Sequence, residues 1–231
     1  AFDWLRKEGL AKRMLVVAPL STLHMTWWRE AFQVTPHLKC NVLYGSRDKR
    51  FQMLADPADI YVVNHDGLEI IATELINRTD IDVIVFDELA VYRTQSTKRW
   101  KTANRIAQRK ERVWGLTGSP TPNAPTDAYA QVKLITPSQM PGGFVAFRES
   151  VMVKVSTFKW VPKPSALKVV ESAMTPAVRY TLDDVVELPD VVMRTVEVQQ
   201  SAQQKLAYDE LEKRLTTMFA EGQITAVNAG I

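Results

Sequence analysis

The sequence predicts a doubly wound α/β domain on a parallel sheet, and three observations predict it. Short apolar runs recur between residues 13 and 118, longer segments of helical pattern separate them, and each run is nearly continuous in Val, Ile and Leu. Strands with one wet face alternate apolar and polar residues, whereas strands covered by helices on both faces do not. Strand alternating with helix then implies crossover connections and parallel pairing over residues 1 to about 138.

Taken in order, RMLVVAP (13–19), CNVLY (40–44), DIYVVN (59–64), DVIVFDE (82–88) and RVWGLTG (112–118) read as strands. Helices are expected over 2–11, 21–33, 47–55, 66–78 and 97–110. The pattern changes after TPSQMPGG (136–143), a turn-rich breaker. Beyond it, VMVKVSTFKWV (151–161) alternates like a hairpin, and a helix is expected near 165–174. A strand over 190–199 and a helix over 201–219 complete the reading. There is no internal repeat and no low-complexity tract.

Of the 231 residues, 46% are apolar and 24% charged, ordinary values for a globular chain with a sizeable core. The net charge of +3 is only a weak pull towards polyanions. Cys40 is the single cysteine, which excludes a disulfide framework and a cysteine-based zinc site. His24, His37 and His65 are scattered and read as structural or exposed. No apolar run approaches the roughly 20 residues of a membrane span, and there is no signal-peptide pattern, so the cytoplasm is the expected location and no membrane partner is expected. The chain opens on AFDWLRKEGLAKR, amphipathic and without an initiator Met, and reads as part of something longer.

In an open α/β sheet, ligands bind beyond the carboxyl ends of the strands. Asp87 and Glu88 stand at such an end, where one acid can hold a metal ion and its neighbour can deprotonate an attacking water. The plain alternative is a solvated strand end. On the next strand, GLTGSPTPN (115–123) carries the Thr117 and Ser119 hydroxyls on a Gly-hinged turn, or forms an ordinary Gly/Pro turn. Between Arg93 and Arg112 there are eight basic residues against one acid, Glu111. Lys98, Lys101, Arg105 and Arg109 recur at helical spacing, opposite Trp100, Ala103 and Ala107; this is a solvated helix face or a phosphate-binding stripe. Trp27 and Trp28 read as core residues or as stacking platforms.

LVVAPLSTLHMTWWREAF (15–32), YVVNHDGL (61–68), VFDELAVYRTQSTK (85–98) and LTGSPTPN (116–123) occur in one order along the chain. In that order they resemble the first motor lobe of a Swi/Snf-type DNA translocase of helicase superfamily two. DDVVELPD (183–190) resembles the family's inter-lobe linker, and VEVQQSAQQKLAYDEL (196–211) the opening of its second lobe. The resemblance implies a RecA-like first lobe over 1–138 without its phosphate-loop strand, an insertion and linker over 139–189, and the start of a second lobe over 190–231.

It also implies ATP, Mg²⁺ and double-stranded DNA. Asp87 would hold Mg²⁺ through water and Glu88 would be the general base. Thr117, Gly118 and Ser119 would couple nucleotide state to DNA grip. Pro19, Ser21, Thr22, Asn64, Arg93 and Lys98 would contact DNA, tracking phosphates rather than bases.

Two positions depart from the family pattern: Ala90 stands where His is usual, and Pro122 where Gln is usual. Both point to a divergent, phage- or bacterial-like member. The chain has no Gly-Lys pair and hence no G-x-x-x-x-G-K-[ST] phosphate loop, so residues 1–231 alone are expected to be inactive. The rival readings are the motor subunit of a restriction system, and a non-catalytic DNA-binding or assembly module naturally without the loop. Neighbouring reading frames separate the first, and the genomic sequence upstream of Ala1 the second.

Overall fold

The computed structural model describes residues 1–140, 142–157, 159–180, 184, 193–214, 216–219 and 222–225. Apart from Asp184, the expected linker at 183–190 lies outside the described residues. The chain divides into two compact units, 1–178 and 179–231.

In the first unit, β1 (Arg13–Ala18), β2 (Cys40–Leu43), β3 (Ile60–Asn64), β4 (Ile81–Phe86) and β5 (Arg112–Gly115) form one parallel sheet. Their order is β2-β3-β1-β4-β5. Each strand sits where an apolar run predicts it. Consecutive residues point to opposite faces of a strand, and the core divides accordingly. Leu15 and Val17 join Tyr61, Val63, Ile84 and Phe86 in one cluster; Met14, Val16 and Ala18 join Ile60, Val62, Val83 and Val85 in the other.

Helices cover both faces, which is why the strands need no polar alternation. On the first face lie α3 (Arg47–Ala55), α4 (Gly67–Ile70), α5 (Ala72–Asn77) and α6 (Lys98–Ala107), contributing Leu54, Leu68, Leu75 and Ile106. On the second lie α1 (Phe2–Lys7), a π-helical turn Leu23–Trp28 and α2 (Arg29–Val34), contributing Phe2, Leu23, Trp27 and Ala31. Each large side chain buried this way is worth roughly 1.5–3 kcal/mol.

Several expected helices end or break early, for visible reasons. The helix expected over 2–11 stops at Lys7 because Gly9 takes φ +69, with Gly9 N–H donating to Arg6 O and Leu10 N–H to Leu5 O. The helix expected over 66–78 divides at Ile71, which is fully buried at φ −114. The helix expected over 21–33 begins as a π turn, closed by Arg29 N–H on His24 O.

Residues 128–174 form a satellite core. Here α7 (Ala128–Ile135), α8 (Phe144–Val151), a β6–β7 hairpin (Met152–Lys154, Trp160–Pro162) and α9 (Ala166–Ala173) bury Tyr129, Phe147, Val151 and Val170. The hairpin and α9 were expected; α7 and α8 were not.

In the second unit, residues 193–200 lie outside any regular element, so the described part of the strand expected over 190–199 is not one. A helix, α10 (Ala202–Arg214), is followed by a hairpin of β8 (Thr216–Phe219) and β9 (Gly222–Thr225), where the helix was expected to run on to 219. Thr216, Thr217 and Phe219 are β-branched or aromatic and suit a strand better than a helix end.

Candidate functional site

Strand register sets the site. Ala18 lies beside Asn64, Val17 beside Phe86, and Phe86 beside Gly115. The segments that follow these strands therefore emerge on one rim, in the order Asn64, Pro19, Asp87, Thr117. From β1 the chain moves to β2 on one side, and from β4 to β5 on the other. The β1/β4 crevice is thus the point where the winding reverses, the usual ligand position in such sheets.

The acid pair is tightly held. Asp87 N–H donates to Val17 O at 2.8 Å, and Asp87 Oδ2 accepts from Trp27 Nε1 at 2.8 Å. Asp87 Oδ1 accepts from Glu88 N–H at 3.0 Å. Glu88 is exposed and left-handed, at φ 52 and ψ 56, the only positive φ among the described non-glycine residues. Leu89 N–H returns to Leu116 O at 2.8 Å, tying the acid turn to the end of β5. A side chain at Gly115 would strike Leu89 and Ile135, which is why β5 ends on glycine.

Beyond Gly115, Thr117 Oγ1 accepts from Ser119 N–H at 3.3 Å, closing a tight turn around the exposed Gly118. Gln131, fully buried on α7, donates to Pro120 O at 2.6 Å and anchors the loop from below. These residues and the acids share the rim, as their spacing on successive strands predicts.

Pro19, Ser21 and Thr22 follow β1 directly. Thr22 folds back on Pro19 O through its N–H at 3.1 Å and its Oγ1 at 3.0 Å, while the Ser21 side chain is exposed. Asn64 is buried instead: its Oδ1 accepts from Arg50 Nη1 at 3.0 Å, and Arg50 also reaches Leu43 O and Gly45 O. Gly67 backs this pair, since a Cβ there would strike both Arg50 and Asn64 Oδ1. Arg93 is exposed, its side chain making one long bond of 3.4 Å to Ala90 O, and Lys98 pairs with Glu69.

On α6, Lys98, Lys101 and Arg105 are exposed while Thr102, Ala103, Ile106 and Ala107 are buried, so the basic residues form a wet helix face. Trp100 is half-buried and donates to Ala130 O.

Sequence reasoning missed the partners that tie these motifs together. Trp27 is neither plain core nor a free platform, because its indole serves Asp87. Trp28 is 45% exposed and stacks on Phe32 at 6.1 Å. Buried Arg50 and Tyr92 also went unremarked. No local pattern in the chain marks either residue. Among the described residues, no cluster of three or more His, Cys, Asp or Glu could form a metal cage.

Fold and rim together define an α/β protein of the RecA-like type, with an acid pair at its switch point. The SNF2-related domain matches residues 4–230, and the chain belongs to that family. A protein named p41 from Acyrthosiphon pisum secondary endosymbiont phage 1 is 25% identical over 239 residues, covering 94% of this chain and 51% of that protein. The SWI/SNF-related matrix-associated actin-dependent regulator of chromatin subfamily A-like protein 1 of Xenopus tropicalis is 30% identical over 133 residues, covering 55% of this chain and 13% of that protein.

The chain thus spans about half the length of one relative and a smaller share of the other. Among solved structures, the Sulfolobus solfataricus SWI2/SNF2 ATPase core in complex with dsDNA superposes with a TM-score of 0.53 at 24% identity. That superposition covers 64% of this chain and 30% of the other, and it supports the fold. The phage protein accords with the divergent, phage-like character expected from Ala90 and Pro122. No helix among the described residues is long and apolar enough to cross a membrane.

Proposed function

We propose that this chain is part of an ATP-dependent motor that translocates on double-stranded DNA. In this reading 1–138 is the first lobe, 139–189 an insertion and linker, and 190–231 the start of the second lobe. The observation that carries it is the rim, where strand register brings Pro19, Asp87 and Thr117 onto adjacent strand ends at the β1/β4 switch point. Family membership and the duplex DNA bound by the Sulfolobus relative support the same substrates here.

The residues present suit magnesium. Mg²⁺ is usually bound by one or two carboxylates, with waters and substrate phosphates completing the shell, rather than by an all-protein cage. Half-buried Asp87, with the hydroxyl residues Thr117 and Ser119 following the adjacent strand, is such a donor set. Asp87 would hold the ion through water, and the ion would neutralise phosphate charge. Glu88, exposed beside it, would accept the proton of the attacking water. Thr117, Gly118 and Ser119, which directly follow Leu116, whose carbonyl accepts from Leu89 N–H of the acid turn, would sense the nucleotide.

Pro19, Ser21, Thr22, Asn64, Arg93 and Lys98 would follow the DNA backbone. Ser21, Arg93 and Lys98 would do so from exposed positions, and Asn64 by setting the shape of the 64–67 turn. Such binding should weaken steeply with salt and show little sequence preference.

The test is phosphate release by the intact protein that contains this chain, with and without duplex DNA. Duplex-stimulated turnover should fall by roughly 10²–10⁴-fold in Glu88→Gln, the usual worth of a general base, with duplex affinity retained. Residues 1–231 alone, without a Gly-Lys phosphate loop, should bind duplex and not turn over. An intact protein that binds duplex but releases no phosphate would favour the non-catalytic module.

A further inference from the structure

Asp87 is gripped at two points by one short stretch of chain. Its backbone N–H donates to Val17 O at 2.8 Å, one residue before β1 ends. Its Oδ2 accepts from Trp27 Nε1, again at 2.8 Å. Between the two anchors lie residues 18–26, which include Pro19, Ser21 and Thr22.

That stretch is stiff. Thr22 is folded onto Pro19 O by two hydrogen bonds, Leu23 is fully buried, and the π turn carries Trp27 back to the acid. π turns are rare and concentrate at functional sites. The ring of Trp27 packs against the same core cluster as Leu23, which fixes the direction of its N–H. An indole nitrogen can only donate, and this one spends its single bond on a carboxylate. Asp87 Oδ1 in turn holds the N–H of Glu88, whose backbone is already left-handed. A displacement of the 19–22 segment would therefore reach both acids through one hydrogen bond.

We propose that Trp27 is a positioning residue that makes occupancy of the Pro19–Thr22 segment felt at Asp87 and Glu88. This rests on reading that segment as a DNA-backbone contact. It places a link between DNA and hydrolysis at the indole N–H, in a protein whose Ala90 offers no polar side chain to make one.

The test has two arms. In the ¹⁵N-labelled chain, the Trp27 indole N–H resonance is identified by its loss in Trp27→Phe. It should move in Asp87→Ala while the other indoles stay in place, and it should move again when a short duplex is added to the wild type. In the intact protein, Trp27→Phe should keep its duplex affinity, with a modest fall in melting temperature from the lost packing. Its duplex stimulation of phosphate release should fall, by roughly 5–150-fold for an ordinary coupling.

A Trp27 that served only packing would reduce basal and stimulated rates in parallel, which overturns the proposal. So does an indole resonance indifferent to Asp87→Ala, or to a duplex that fluorescence anisotropy shows to be bound. If the wild type binds no duplex, the reading of Pro19–Thr22 fails and takes the coupling with it. If duplex is bound and the indole is silent, only the coupling fails.

Discussion

His65 Nδ1 and Tyr92 Oη are 3.0 Å apart, and their hydrogen bond joins the end of β3 to the turn that follows the acid pair. The rings meet edge-on with centroids 5.4 Å apart, and Tyr92 meets Phe86 in the same manner at 5.0 Å. Tyr92 is fully buried and His65 nearly so, with His65 Nε2 left without a partner among the described residues. The tie locks two rim segments together from beneath.

Burial holds the His65 pKa down to about 4, from an ordinary 6.5; nearby Arg99 adds to the effect, and Asp87 and Asp66 oppose it. The unfolded chain therefore takes up this proton near pH 6.5 and the folded chain only near pH 4. Stability should be level in this respect above pH 6.5, fall as pH drops from 6.5 towards 4, and level off below. Urea midpoints between pH 7.5 and 4.5 should show that slope, and His65→Gln should flatten it. Asp80, held down to about 2 chiefly by Arg78, acts lower, its contribution disappearing as pH falls from 3.8 through 2.

Glu88 sits in a left-handed conformation that costs an L-residue roughly 1–2 kcal/mol and glycine almost nothing. Its side chain is exposed, so little packing is lost on truncation. After the entropy that glycine gives up on folding, Glu88→Gly should raise stability by about 0.5–1 kcal/mol in chemical denaturation. Glu88→Gln keeps the strained backbone and should not. A Glu88→Gly protein no more stable than wild type would argue against stored strain.

Gly67 leaves no room for a side chain between Arg50 and Asn64. Gly67→Ala should cost about 1–3 kcal/mol, the usual range for overpacking. Denaturation measures the cost. Gly142, where an added Cβ would meet only Ala146 at ordinary distance, is the control, and its alanine variant should cost much less.

Burial pushes the Cys40 thiol up to about 11 from 9.0. At pH 8 its thiolate fraction should be roughly a hundredfold lower than in the unfolded chain. Native protein should react slowly with a disulfide reagent, and urea should release one fast thiol. Fast labelling without denaturant would contradict the burial of β2.

Much of the fold was legible because its strands are local, continuous and apolar. Residues 81–86 are buried without exception, and all but Asp82, whose carboxylate accepts from Lys12 and Arg13 N–H, are apolar, as suits a parallel strand under two helical layers. Motif spacing also placed Asp87, Thr117 and Pro19 at strand ends, so the rim could be anticipated. The helices α7 and α8 were less visible. Their apolar residues face each other across the satellite core, and the short segments around them carry Gly and Pro that read as loop.

The partners of the motifs were not legible. Trp27 is 60 residues from Asp87, His65 is 27 from Tyr92, and Arg50 is 14 from Asn64. No periodicity in the chain records such pairs.

What the sequence by itself determined was which residues form the five strands of the parallel sheet, that both faces of that sheet are covered, and which acids and hydroxyls fall at its strand ends. Apolar periodicity and turn chemistry act over a few residues and need no knowledge of neighbours. Only the tertiary structure decided the strand order, and with it that the segment after β1 lies beside the acid turn after β4. It also decided that Asn64 turns inward to Arg50 and that the indole of Trp27 closes on Asp87. Those outcomes depend on how helices on both faces of the sheet are packed and on which buried donors find acceptors, and packing of that kind is settled by the whole chain at once.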